Sequence, residues 1–317
     1  MAVTKSRKRR TSSATPEQRA EWDAIREARV MELKSEFDEA VSRLVTTEAW
    51  GAMLEAAVRL HRYSFRNMLL ILSQCPHATH VEGFREWIKR GRAVRKGERA
   101  LWILAPMTRR ASATEAAADN GQAAPAAEGN EERRVFFAPV KVFDISQTYR
   151  LDGEPDAEPI NRAPQLEGEA PALMWPSLAA YVEAQGYALE HGETAPAEGW
   201  TDPTTRTVRI SDALSNAHGA QVLAHEAAHI ACGHLETSAA EYRQHRGRME
   251  TEAESAAYVV CRAFGLDAAA VSVPYVAGWA GKTADEVQQT IKDAGAQVIK
   301  GAQAILTALA PDTEPEQ

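Results

Sequence analysis

The sequence predicts an α+β protein of two domains: a mixed helix and β-hairpin half, then a mostly helical half with a small sheet. Three observations carry this. Apolar residues recur at helical spacing between Pro16 and Pro76 and again after Ala172. Glycine-punctuated short apolar segments run from Ala78 to Pro106, and a strand resumes over 135–145. Between them and the second helical region lies a stretch rich in Pro, Glu, Asp and Gly, as an interdomain linker is. With 317 residues, 44% of them hydrophobic, the chain can bury one core and has length enough for two. That composition excludes fibrous, collagen-like and mainly disordered classes.

Taken in order, residues 1–15 form a basic, Ser/Thr-rich arm with Lys5, Arg7, Lys8, Arg9 and Arg10 and almost no apolar anchor. From Pro16 the spacing of Trp22, Ile25, Val30, Leu33, Phe37, Val41 and Leu44 predicts a long helix, with Thr15-Pro16 as cap and first turn. Further helices are expected over 49–60 and from Ser64 to Pro76. Gly83, Gly91 and Gly97 then divide a short helix from a β-hairpin whose strand covers 100–104. Residues 111–132 are Ala, Glu and Gly without apolar anchors and read as a mobile surface insertion. A strand over 135–145 returns to pair across it, closing a first domain over 16–150. After the linker at 151–172, a second domain over 173–310 starts with a helix to Gln185 and a strand over 205–210. Helices over 216–234, 249–264 and 284–309 complete it, and 311–317 is a tail.

The net charge is −8, which by itself disfavours nucleic acid as a partner, but its distribution is uneven. Between Arg59 and Arg110 stand twelve Lys or Arg against three Glu, a surplus of +9 that leaves −17 for the rest. This is the footprint of a polyanion-binding half joined to an acidic half, the alternative being a merely solvated basic surface. No run of about eighteen apolar residues occurs and the N-terminus has no hydrophobic stretch, so neither a membrane partner nor a secretory signal is expected. A cytoplasmic location follows by default. Cys75, Cys232 and Cys261 are odd in number and widely spaced, which points to free buried thiols, Cys232 as core or pocket wall.

The strongest chemical signal is His225-Glu226-Ala227-Ala228-His229. On a helix this HExxH stacks two imidazoles one turn apart with a carboxylate beside them, which is the arrangement one Zn²⁺ per chain needs. A catalytic zinc takes a third protein ligand and keeps one position for water, which the motif's Glu226 deprotonates as general base. The third ligand is sought in Met249-Glu250-Thr251-Glu252-Ala253-Glu254. Glu250 and Glu254 share a helix face, whereas Glu252 is rotated by about 160°. Glu250 is therefore taken as ligand and Glu254 as the group orienting a histidine N–H, with Glu254 or Glu252 as alternative ligands and an acidic solvated face as the plain reading. His234 does not fit a metzincin, which needs Gly and His three and six residues after the second His, against four and five here. His218, His245 and Tyr242 are more often surface or core residues than catalysts, and of these His245 is kept as a candidate electrophile for an oxyanion.

An HExxH helix followed by this E-x-E-A helix resembles the ImmA/IrrE family of zinc metallo-endopeptidases over about 205–265. The resemblance implies a zincin-like fold, Glu250 as the third ligand, and cleavage of a repressor or other regulatory protein as activity. Glu254 stands where that family has Asn or Asp. The basic half is similar to the N-terminal single-stranded-DNA-binding domain of ArdC-type antirestriction proteins through Tyr63-Ser64-Phe65-Arg66-Asn67, Thr79 to Trp87 and Val94 to Glu98. That implies single-stranded DNA as partner and a role on a mobile element, protecting incoming DNA from restriction. This chain departs from the pattern in its Ala-rich insertion and in the five-residue step from His229 to His234.

The physical parts for such binding are present: a cationic track for phosphates and Phe65, Phe84, Trp87 and Trp102 as stacking platforms or core. The DNA candidates are Arg62, Tyr63, Arg66, Asn67, Arg92, Arg95 and Lys96, with Tyr63 favoured for a base contact and Lys96 on a tight turn. Nothing points to base-edge readout, so binding is expected to be sequence-tolerant and strongly salt-dependent. Two further readings stay open: a peptidase that answers to DNA and cuts a regulatory protein, and a DNA-binding protein whose zincin fold is inactive.

Overall fold

A computed structural model describes residues 15–110, 133–153, 170–266 and 283–308. The basic arm up to residue 14, the insertion 111–132, the centre of the linker (154–169) and the tail 311–317 lie outside the described residues. The architecture is α+β. In chain order it runs α1 (Pro16–Ser42), α2 (Thr47–Leu60), α3 (Phe65–Gln74), β1 (Val81–Gly83), α4 (Phe84–Lys89), β2 (Arg92–Val94), β3 (Leu101–Arg110), β4 (Arg133–Asp144) and β5 (Thr148–Arg150). There follow α5 (Met174–Ala184), β6 (Ala188–Gly192), β7 (Gly199–Asp202), β8 (Thr207–Ser211), α6 (Asn216–Ala231), α7 (Ala239–Ala263) and α8 (Ala284–Ala308).

The described residues divide into two compact units, one formed by 15–35 with 102–110 and 133–140, the other by 36–101 with 141–153, 170–266 and 283–308. In the first, the guanidinium groups of Arg26 and Arg29 lie over the rings of Phe136 and Trp102 at 5.9 and 5.0 Å. Trp22 and Ile25, expected to join an apolar stripe, stay 58% and 63% exposed there. In α1 the contact with these rings is made by the guanidinium groups.

The second unit holds the larger core. Thr46 caps α2 by accepting from the Ala49 N–H, and Ser64 caps α3 through the Asn67 N–H. Trp50 of α2 is buried and its indole Nε1 donates to Ser255 Oγ of α7 at 3.0 Å. Gln303 of α8 donates to the carbonyls of His61 and Tyr63 in the α2–α3 turn. These links tie α2 and α3 to the helices after 239. β1 runs antiparallel to β4 from Val81↔Asp144 to Gly83↔Val142, and β2 pairs with β5 from Arg92↔Arg150 to Val94↔Thr148. A three-stranded sheet, order β6-β8-β7, has β6 parallel and β7 antiparallel to β8.

Two differences from the sequence-based expectation have clear causes. Apolar spacing places the start of the long acidic helix at Met249, yet α7 begins at Ala239, because Ser238 and Glu241 form a capping box that starts the helix ten residues earlier. The helix over 216–234 is cut at Cys232 because Gly233 adopts φ 71°, a left-handed conformation suited to glycine. His234 then lies in a separate 3₁₀ turn, His234–Glu236, below the end of α6.

Candidate metal centre

Helix α6 starts at the Ser215 cap, whose hydroxyl accepts from the His218 N–H at 3.3 Å. Its alanine-rich body places His225 and His229 one turn apart, and their Nε2 atoms converge to 3.0 Å. Glu250 Oε2 of α7 lies 3.5 Å from each of them. A tetrahedral ion with bonds of about 2.1 Å spaces its ligands about 3.4 Å apart, so these two imidazoles and one carboxylate suit a divalent metal. Among the described residues this trio is the one His/Cys/Asp/Glu group whose ligand atoms converge, all within 4.8 Å.

The surrounding groups complete the arrangement. Glu254 Oε2 accepts from His225 Nδ1 at 2.8 Å, an outer carboxylate that turns the other ring nitrogen inward. Glu226 is buried, and Thr201 Oγ1 of β7 donates to its Oε2 at 2.6 Å. β7 comes this close because of Gly199: a Cβ there would sit 2.6 Å from Val222 Cγ1 of α6. A cavity of about 240 Å³ opens beside His225 and Glu226, with Gly199, Val222, Ala257 and Cys261 in its wall. Burial pushes the thiols of Cys261 and Cys232 up to about 12, so both stay neutral and neither is a nucleophile.

Without a metal, burial works against a charge on His225, but its hydrogen bonds to Glu250 and Glu254 and the nearby Glu226 outweigh this and raise its pKa to about 10. A raised imidazole pKa stabilises the fold fully below the ordinary value of 6.5, and that contribution is lost as pH rises through about 10. An ion competing for Nε2 must displace this proton. Metal uptake at pH 7 is therefore expected to release a proton, with affinity rising about tenfold per pH unit below that range. Calorimetry in buffers of different ionisation enthalpy measures it.

His234, which fits no metzincin pattern, and Glu252, an alternative third ligand in the sequence, meet each other beside the trio. His234 Nδ1 meets His229 Nδ1 at 3.0 Å, and His234 Nε2 meets Glu252 Oε2 at 2.9 Å, the side chains of His234 and Glu252 being 3% exposed. The signal was the glycine before His234, which lets the chain turn back under His229. His245 is exposed on α7 and, five residues from Glu250, is turned by about 140° from its face. Hydrogen bonds from Ser238 chiefly hold Glu241, on the same helix, below the usual carboxylate range.

The DNA candidates separate into surface and core. Arg62, Arg66, Arg95 and Lys96 keep solvent access, with Arg66 over the Phe37 ring at 5.4 Å and Arg95 donating to the Ser146 carbonyl. Arg92 is 8% exposed and its Nε donates to Thr148 Oγ1 at 2.7 Å, a strand-pairing role. The Tyr63 hydroxyl donates to the Val81 carbonyl at 2.7 Å, and burial raises its pKa to about 12. The Asn67 N–H serves the α3 cap. Trp87 and Phe65 are core, whereas Phe84 is 52% exposed.

Site and fold together give an α+β chain in which two histidines and a glutamate converge on one point. Residues 25–143 match the family model for the N-terminal domain of anti-restriction factor ArdC, and residues 188–277 match the IrrE N-terminal-like domain, a peptidase family. One part of the chain is thus similar to the ArdC N-terminal domain and a later part to the IrrE domain. It is 26% identical over 296 residues to an uncharacterized Bacillus anthracis protein, covering 82% of this chain and 49% of that one. The chain spans about half the length of this curated relative. Crystal structures of the antirestriction ArdC protein from the R388 plasmid are similar at 19% and 20% identity. The metal-free one has TM-score 0.49 over 86% of this chain and 97% of that one, the Mn(II)-bound one 0.48 over 87% and 99%. No helix among the described residues is long and apolar enough to cross a membrane.

Proposed function

We propose that this chain is an ArdC-type antirestriction protein of a mobile element, acting in the cytoplasm. Its N-terminal domain binds single-stranded DNA without sequence preference, and its C-terminal domain is a metallopeptidase with one zinc held by His225, His229 and Glu250. The convergence of two Nε2 atoms and one carboxylate oxygen, with a buried carboxylate beside them, carries the enzymatic half. When bound, the ion supplies Lewis acidity, lowering the pKa of a water and polarising a carbonyl. Glu226 takes the proton of the attacking water and returns it to the departing amine as the C–N bond breaks. Thr201 holds one Glu226 oxygen, leaving the other for the proton. Among the described residues β7 is an edge strand, and its outward backbone groups suit an extended peptide.

A reading in which DNA regulates the peptidase is favoured by one observation. Glu55 of α2 accepts from the Tyr258 hydroxyl and pairs with Arg262 Nε at 3.1 Å, both on α7. The helix leading into the Arg62 turn is thereby bound to the helix that carries Glu250. In that case the substrate is a regulatory protein.

DNA binding is tested by fluorescence anisotropy on a single-stranded oligonucleotide across a salt series. Arg62→Ala and Lys96→Ala are expected to weaken binding and to flatten the salt slope by about 0.7 for each phosphate no longer neutralised. Arg92→Ala is expected to lower stability instead, since that guanidinium is buried against Thr148. Unchanged affinity and slope in the first two variants would exclude this track.

A further inference from the structure

We infer that Glu252 and His234 are positioning residues that fix the tautomer of His229, so that its Nε2 lone pair faces the metal. This rests on the reading of His225, His229 and Glu250 as the metal trio. The chain of contacts runs Glu252 Oε2 to His234 Nε2 at 2.9 Å, then His234 Nδ1 to His229 Nδ1 at 3.0 Å. It ends at His229 Nε2, 3.0 Å from His225 Nε2 and 3.5 Å from Glu250 Oε2.

Hydrogen-bond direction follows from the groups themselves. Arg248 Nε lies 3.3 Å from Glu252 Oε1, and the second carboxylate oxygen, Oε2, faces His234 Nε2 as an acceptor. His234 Nε2 must then carry the proton that it donates. In a neutral imidazole the other nitrogen is an acceptor, so His234 Nδ1 takes the Nδ1–H of His229. That leaves the lone pair of His229 on Nε2. The reverse polarity would put a proton on His229 Nε2 and close the position to any ion. With both His234 and Glu252 almost fully buried, no water competes to reverse the order.

The site thus has two outer carboxylates with separate tasks. Glu254 turns His225 directly, and Glu252 turns His229 through an intervening imidazole. Two carboxylates at i and i+2 on one helix therefore both serve the centre although their directions differ by about 160°.

The test combines ring-nitrogen NMR of ¹⁵N-histidine-labelled full-length protein with Zn²⁺ affinity by chelator competition. In metal-free and Zn²⁺-loaded wild type, His229 is expected to be protonated on Nδ1 and His234 on Nε2. His234→Phe and Glu252→Met are each expected to bind Zn²⁺ about 10- to 100-fold more weakly. The double variant is expected to bind no more weakly than the weaker single, because one chain is broken once or twice. A proton on His229 Nε2, Zn²⁺ on its Nδ1, or folded single variants with wild-type affinity would each overturn the inference. If the variants do not fold, the wild-type spectra decide. A wild type that shows these tautomers but takes up no Zn²⁺ would refute the metal trio, and with it the positioning role.

Discussion

Glu226→Gln is expected to retain the metal and to lose peptide hydrolysis by about 10²- to 10⁴-fold, the usual contribution of a positioned general base. The substitution is nearly isosteric. The glutamine carbonyl oxygen can still accept from Thr201 Oγ1, which now holds Glu226 Oε2 at 2.6 Å, so the side chain keeps its place. What disappears is the capacity to take a proton beside His225 and His229. Metal content and cleavage of a peptide library, wild type against variant, check both halves of the expectation. Equal hydrolysis by the two proteins would remove Glu226 from the mechanism. A wild type that binds metal and cleaves nothing would support the reading in which the zincin-like domain is inactive and the DNA-binding half carries the function.

The largest expected effect on stability comes from Trp50→Ala, at about 3–5 kcal/mol. Trp50 is 1% exposed, and its indole N–H is donated to Ser255 Oγ, which is itself fully buried. Truncation empties a large volume between α2 and α7 and leaves the Ser255 hydroxyl without that donor. Trp50→Phe fills most of the volume and is expected to cost about 1–2 kcal/mol, chiefly through removal of the hydrogen bond. Denaturant midpoints of the three proteins measure the order. Equal midpoints for wild type and Trp50→Ala would mean that α2 contributes nothing to holding α7, the helix of Glu250, Glu252 and Glu254.

Much of this organisation is legible in the sequence because it is local. Helices α2 and α3 follow from apolar spacing and Ser/Thr caps, α5 from apolar spacing without such a cap, and α6 from the HExxH run. The convergence of His225, His229 and Glu250 follows from helical periodicity on two neighbouring helices. What the sequence hides is set by tertiary contact. Strands β6 and β7 are short and carry little alternation, so their pairing with β8 is not written in either segment. Arg92 and Tyr63 look like surface residues of a basic track, yet one is bound to Thr148 and the other to the Val81 carbonyl, partners far away in sequence. Glu252 points away from Glu250 by helical geometry, and only the backward turn at Gly233 supplies the histidine that meets it. The early start of α7 is different in kind: Ser238 and Glu241 spell a capping box that local reading can find.

In the reading above, His225, His229 and Glu250 hold one divalent ion. Elemental analysis of purified wild type beside His225→Ala, His229→Ala and Glu250→Ala tests it most directly. The expected result is one zinc per wild-type chain, absent from all three variants while their circular dichroism stays that of the folded protein. A folded wild type without metal, or variants that keep a full equivalent of it, would contradict the claim.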